Sequence, residues 1–170
     1  MSPSIAAPAY RPRPPFLGWP MQWCFDGGYA WLTPTGPAVV TQISATKVTA
    51  INVHSLQDIF DELVRARVTE RLPGLCIIHD WRSIQSVDAS ARKAWGERTK
   101  RPGNPYREVK FYVAVNANPI VRMALKSAAL AVQLAVGQRL AHFEDDPAEP
   151  IERLGITSPP ADFLATWLRG

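Results

Sequence analysis

From residue 75 onward, short apolar runs alternate with helix-patterned segments, and that alternation leaves few architectures open. LCIIHD at 75–80 and EVKFYVAV at 108–115 are short and rich in β-branched or aromatic residues, as buried strands are. Between them, 89–101 reads as a helix that Pro102-Gly103-Asn104-Pro105 stops. Asn118-Pro119 opens a long helix to about 136, with proline suited to the first helical position and Gly137 to the end. A short strand over 140–143 follows. A last helical turn around 147–154 is capped by Asp145 or Asp146. Strands separated by single helices pair in parallel through right-handed crossovers.

Upstream the signals change. Segments 22–25 and 29–33 flank Asp26-Gly27-Gly28, which predicts a β-hairpin. Pro34-Thr35-Gly36-Pro37 makes the next turn, and 38–43 reads as a third strand. Segment 47–53 reads two ways. Its β-branched residues favour a strand, whereas Val53, Leu56, Phe60 and Leu63 follow helical spacing. A helix is expected over 56–70 with its start open, Ser55 as cap and Asp58 favouring the amino end, and Pro73-Gly74 ends it. The fold class is α/β: a mixed sheet, mostly parallel after an N-terminal hairpin, with helices packed on it.

A length of 170 residues, 46% of them apolar and 20% charged, suits one compact domain and excludes global disorder. The expected organisation is a proline-rich arm over 1–20, an α/β domain over 21–157 and a helical tail over 158–170. Six prolines (Pro3, Pro8, Pro12, Pro14, Pro15 and Pro20) make the first segment an extended arm, since proline removes the amide donor that helices and central strands need. Either it is a disordered tail, or it packs Phe16, Trp19 or Trp23 onto the domain or onto a second copy. The tail carries Phe163, Leu164, Trp167 and Leu168. The helix 120–136 is apolar nearly all round, which predicts burial on more than one side, against the sheet and against a second copy or the tail. So many large apolar groups in arm and tail lead us to expect a homodimer, with the arm or the first hairpin in the interface.

No stretch of 18 residues is free of charge, so no transmembrane segment is expected. The first residues lack a basic start followed by an apolar run, and the two cysteines, Cys24 and Cys76, fit neither a C-x-x-C motif nor a disulfide framework. A cytoplasmic location follows as the expectation. The net charge of +4 permits an anionic partner without requiring one.

Catalytic chemistry is hard to find. His54, His79 and His142 fit no metal-ligand spacing, and each reads as a surface or satisfied core histidine. Cys76, inside an apolar strand, reads as a small buried hydrophobe. No phosphate-loop, dinucleotide or nucleophile-elbow pattern occurs. No enzyme activity, metal or cofactor is therefore expected.

The informative segment is HDWRSIQSVDASAR at 79–92. It runs from a strand end through a turn to a helix start. There Asp88 is a natural cap and Ser90 falls at about the second helical position. A phosphate on Ser90 would meet unpaired amides and the positive end of the helix, with Arg92 or Lys93 nearby. The plainer reading is a capped helix with an ordinary first-turn serine. A further basic group, Arg98, Lys100 and Arg101, continued by Arg107 and Lys110, could meet an acidic partner, a nucleotide or an anionic lipid head. Otherwise it is a solvated face. Aromatic interleaving for base stacking is not obvious, so nucleic acid is not expected.

Asp80 through Ala91 resembles the signature of STAS domains, the domains shared by sulfate transporters and anti-sigma factor antagonists. That signature is a strand ending in an acidic residue, then an apolar position, then Asp-Ser-Ser-Gly opening a helix. Asp80 and Asp88 match its spacing, and Ser90 falls on the phosphorylated serine, with Ala89 and Ala91 in the other two places. Asn118-Pro119-Ile120-Val121-Arg122-Met123-Ala124-Leu125 looks like the next helix of the family, and 141–151 like its last strand and helix start.

The resemblance implies a non-catalytic regulatory module that binds a partner protein, switched at Ser90. Asp80, Asp88, Arg92 and Lys93 would form the switch region, and a serine kinase of the anti-sigma type would be a partner. The alternative is a small-molecule or lipid-binding domain of the STAS or Sec14-like kind, motivated by the apolar long helix and six tryptophans.

Overall fold

A computed structural model describes residues 13–20, 22–33, 38–65, 75–101, 110–115, 118–136 and 142–157. In chain order the elements are β1 (Trp23–Phe25), β2 (Gly28–Thr33), β3 (Ala38–Ile43), β4 (Lys47–Val48) and α1 (Ala50–Arg65). Then come β5 (Cys76–Asp80), β6 (Ser86–Val87), α2 (Ala89–Thr99), β7 (Lys110–Ala114), α3 (Pro119–Val136), β8 (His142–Glu144) and α4 (Ala148–Arg153).

Asp26 and Gly27 form the turn of the first hairpin, in which Phe25 faces Gly28 and Trp23 faces Ala30. Gly27 has φ +89°, a conformation glycine enters without strain. Gly28 sits where β2 meets β3: a Cβ there would lie 2.1 Å from the Gln42 carbonyl oxygen. β2 and β3 pair antiparallel from Gly28↔Ile43 to Thr33↔Ala38. From β3 on the pairing is parallel, β3 to β5 to β7 to β8.

Among the described residues the sheet has six strands in the order β1-β2-β3-β5-β7-β8. It is the mixed, mostly parallel α/β sheet that the alternation predicts. Each parallel step moves one place in the same direction, so right-handed crossovers bring α1, α2 and α3 to one face.

Both faces of the sheet are covered, which is why β2, β3 and β5 are buried along their whole length. On the helix face, Leu32, Val39, Ile77 and Val113 pack with Leu56, Phe60 and Leu63 of α1, Ala91 and Ala94 of α2 and Val121 of α3. On the other face, Tyr29, Trp31, Val40 and Ile78 pack with Phe16 of the arm and with Ile151 and Ile156 at and after α4.

The described part of the arm, 13–20, therefore lies on its own sheet. Phe16 is fully buried, with its ring stacked on Trp31 at 5.2 Å. Trp19 meets both rings edge-on at 5.3 and 5.7 Å, and Trp31 Nε1 donates to the Pro20 carbonyl at 2.9 Å. This arm crosses a face of the sheet rather than extending an edge. Trp23 packs separately, against the helix-side core.

Three expectations need correction. First, α1 begins at Ala50, so Ser55 lies inside it and caps nothing. The start is fixed instead by Asn52 Oδ1, which accepts from Thr49 N at 2.8 Å and Thr49 Oγ1 at 3.0 Å, in the manner of a capping box. Asn52 Nδ2 also donates to the Asp26 carbonyl at 2.8 Å, tying the helix to the hairpin turn. Both readings of segment 47–53 are thus partly right, since β4 takes its first two residues. Second, Ser86-Val87 is a strand, not a plain turn. It pairs in parallel with β4, Lys47↔Ser86 and Val48↔Val87. Two residues are too few to leave a period in the sequence. Third, among the described residues α3 is buried on one side only: Val121 is buried, but Ile120, Met123, Leu130 and Leu134 are exposed, and the tail expected to meet it lies outside those residues.

The expected tail over 158–170 lies outside the described residues. No helix of the described residues is long and apolar enough to cross a membrane.

Candidate functional site

The parallel pair β4–β6 positions the segment in front of α2. Gln85 N donates to the Thr46 carbonyl at 2.8 Å and Asp88 N to the Val48 carbonyl at 3.0 Å, so the chain enters the helix from a fixed direction. Asp88 occupies the cap position, with extended backbone at φ −62° and ψ 156°, and its carbonyl accepts from Arg92 N at 3.1 Å. Its carboxylate does not cap the helix, which corrects the sequence reading. It pairs instead with Lys47 Nζ at 3.3 Å. The first amides of α2 consequently have no side-chain acceptor from the cap residue.

Ser90 is the second residue of this 11-residue helix and is exposed. Arg92 is exposed too, and its guanidinium folds back over the helix start to donate to the Val87 carbonyl at 2.6 Å. Lys93 points to solvent and meets Glu97 one turn on, at 3.9 Å. Ser90, Asp88, Arg92 and Lys93 thus share one end of α2.

Asp80 does not join them. It sits at the end of β5 on the arm face of the sheet, whereas α2 packs on the opposite face. It is fully buried, accepting from Gln42 Nε2 at 2.8 Å, from Arg82 Nε at 2.9 Å and from Arg82 Nη2 at 3.0 Å. The hydrogen bonds to Asp80 push the Arg82 pKa up, so the guanidinium is a fixed charge. Arg82 also donates to the Pro14 carbonyl, and Gln42 Oε1 accepts from Arg13 N at 3.1 Å. This polar cluster pins the arm to the sheet. Asp80 is an anchor of the arm and not a part of the α2 switch region, as strand alternation dictates: it follows Cys76 and Ile78 onto the same face.

The basic group also divides. Arg98 is nearly buried and clamps α2 to α1, at 2.5 Å from Asp58 and 2.6 Å from Asp61. Its charge is neutralised there, so it does not contribute to an open anion patch. Lys100 and Arg101 lie exposed just beyond the helix, and Arg107 lies outside the described residues.

Of the histidines, His79 is fully buried on the helix face, bonded to Thr41 Oγ1 at 2.6 Å and stacked on Trp81 at 4.9 Å. Burial pushes its pKa down to about 3, so it is a neutral core residue. His54 is exposed on α1. Burial likewise pushes the Cys76 thiol up to about 11, which makes it a poor nucleophile.

Sequence reasoning missed a cavity of about 380 Å³ at the carboxyl ends of the parallel strands, bounded by α1, α2, α3 and the β4–β6 pair. Val53 and Leu56 line it from α1, Ala91 and Trp95 from α2, and Val121 and Leu125 from α3. Trp81 and Ile84 complete the apolar wall, and the exposed Gln85, Ser86, Arg92 and Ile120 stand at its mouth. The available signal was positional: in open α/β sheets, ligands bind beyond the carboxyl ends of the strands. Trp81, next to Asp80, and Trp95, two residues beyond Lys93, were the residues to weigh. Compared with protein-family models and with curated proteins, the chain matches none.

Proposed function

We propose that this chain is a non-catalytic regulatory module of STAS-like fold, which binds a partner protein at the start of α2 and is switched by phosphorylation of Ser90. The observation that carries this reading is the exposed Ser90 at the second position of α2, a helix whose cap carboxylate is turned away to Lys47. A phosphate adds about −1.5 to −2 charges at neutral pH. Placed on Ser90, it would face the uncapped amides and the nearby Arg92 guanidinium. The consecutive strand order, with its helices on one face, supports the STAS-like assignment.

Exposed apolar side chains support the partner-binding part. Ile120, Met123, Leu130 and Leu134 are each more than half exposed along α3, a concentration that marks interaction surfaces. The partner is a regulatory protein, a serine kinase of the anti-sigma type among the candidates, and the compartment is the cytoplasm. A homodimer joined through the first hairpin completes the proposal, since β1 ends the described sheet and offers a free strand edge.

The test is phosphorylation of the purified chain by an anti-sigma-type serine kinase from the same source, with peptide mapping and kinase binding measured in parallel. Phosphate confined to Ser90, with the kinase binding wild type and Ser90→Asp differently, supports the switch. Equal kinase affinity for wild type, Ser90→Ala and Ser90→Asp rejects it. Light scattering of the full chain reads the dimer, and a monomer at micromolar concentration rejects that part alone.

A further inference from the structure

The open side of α3 is a seam. Ile120, Met123, Ser127, Leu130 and Leu134 recur at alternating steps of three and four, the spacing by which two helices pack side by side in a coiled coil. All of them are exposed. The polar member is already answered: Ser127 Oγ donates to the Met123 carbonyl at 3.0 Å, so burying the seam leaves no hydroxyl donor unmet. Charges beside such a seam select a different chain as partner. Here only Lys126 of the flanking positions is charged, and α3 contains no acidic residue, so the flanks hold no code for a foreign helix.

We propose that the α3 seam pairs with the α3 seam of a second copy of this chain, the two helices antiparallel about a two-fold axis. Turned this way the seam complements itself. Leu134 lies beside Met123 of the second copy, Leu130 beside the small Ser127, and the symmetry makes each contact twice. The two Lys126 side chains are staggered by five residues, about 7.5 Å along the axis, and do not face each other. α3 has 18 residues and is about 27 Å long, and a packed helix is about 10 Å across. Two copies in contact along that length bury on the order of 1,000 Å², the size at which a specific contact holds. The contact is separate from the hairpin edge: β1 and β8 end the described sheet on opposite sides, and α3 lies between β7 and β8 in sequence. It does not depend on Ser90. It does cover the face credited above with partner binding, so a partner reaches α3 only when the pair opens.

A nitroxide label on Lys126→Cys, in a Cys24→Ser background of the full chain, tests the proposal by distance, since the remaining Cys76 is buried. Helix axes about 8–10 Å apart and a stagger of about 7.5 Å put the labels of a pair within about 20 Å. Pairing through β1 instead sets them about 40 Å apart, because four strand spacings of about 4.8 Å lie between β1 and β7 in each copy. The short distance is expected at micromolar concentration. It should be lost in Leu130→Glu and in Leu134→Glu, each weakening the pair by at least about tenfold, because the symmetry buries the new charge twice. Both residues are exposed in the single chain, so neither variant should unfold. A distance of about 40 Å alone assigns the dimer to the hairpin and overturns the α3 pair. A monomer overturns it too, whether its label moves freely or is held by the tail. A short distance that survives both glutamates overturns the seam.

Discussion

Gln42 and Asp80, 38 positions apart in sequence, lie side by side at the ends of β3 and β5, with Gln42 Nε2 donating to Asp80 Oδ2 at 2.8 Å and neither residue exposed. Together with Arg82 they convert a strand end into a clasp on the arm. Arg82 is partly exposed and keeps a second carboxylate, Asp146, at 3.8 Å, so removing Asp80 costs about 1–3 kcal/mol for the lost charge-assisted hydrogen bonds. Asp80→Ala should lose stability of that order in urea denaturation. It should also speed cleavage by a protease in the segment 13–20, because Arg82 would no longer be held against the Pro14 carbonyl. If cleavage of the arm is unchanged in a folded Asp80→Ala protein, the clasp is not what holds it.

The arm belongs to the core by its packing, so its side chains should behave as core side chains. Phe16→Ala removes a fully buried ring from between Trp19 and Trp31 and should cost about 3–5 kcal/mol. Leu17→Ala, next to it but 64% exposed, should stay within about 0.5 kcal/mol. Chemical denaturation of the two variants checks the contrast, and similar effects from both would mean that the arm does not sit on the Trp31 face in solution.

These two residues also show where sequence reading stops. Proline content predicted an extended arm, but its described part is two consecutive turns, with Phe16 N donating to the Arg13 carbonyl at 2.8 Å and Trp19 N to the Phe16 carbonyl at 3.1 Å. Whether Phe16 meets this sheet or another chain depends on a face left open by helices that all cross on the other side. That is a property of strand order, and strand order leaves no local pattern. Asp80 is the same case at the scale of one residue. Its spacing from Asp88 matched a motif, yet alternation along β5 turns it away from α2. Ser90, Asp88, Arg92 and Lys93 were legible as a group because they share one helix start, where spacing in sequence is spacing in space. The cavity was not legible, since its walls come from segments as far apart in sequence as Ile43 and Leu125 and no single one of them is unusual.

Arg98 provides a test of clamp against patch. Its guanidinium is mostly buried between the two α1 carboxylates, so Arg98→Ala should destabilise the fold, by about 1–3 kcal/mol for lost charge-assisted bonds. A double-mutant cycle with Asp61→Ala should return a coupling of about 1 kcal/mol, reduced by salt because Asp61 is 45% exposed. Additive effects of the two substitutions would show that the pair is not a clamp.

His79 makes stability depend on acid. Its ordinary pKa is 6.5, and burial between Thr41, Phe60 and Trp81 lowers it to about 3 in the folded chain. Between those values the unfolded chain binds a proton that the folded chain refuses. The unfolded state therefore gains as pH falls, and stability rises with pH over the same interval. The contribution is fully present above pH 6.5 and is lost progressively as pH drops from 6.5 towards 3, at about 1.4 kcal/mol for each unit once the unfolded histidine is protonated. Carboxylates add their own acid dependence, so the measurement is a difference: urea denaturation of wild type and of His79→Gln at pH 7, 6, 5 and 4.5. The variant pays the loss of a packed ring at every pH, whereas the wild type alone loses stability from the histidine on acidification. The gap between the two should narrow steadily below pH 6.5. A gap that stays constant down to pH 4.5 would mean that the imidazole accepts a proton in the folded state.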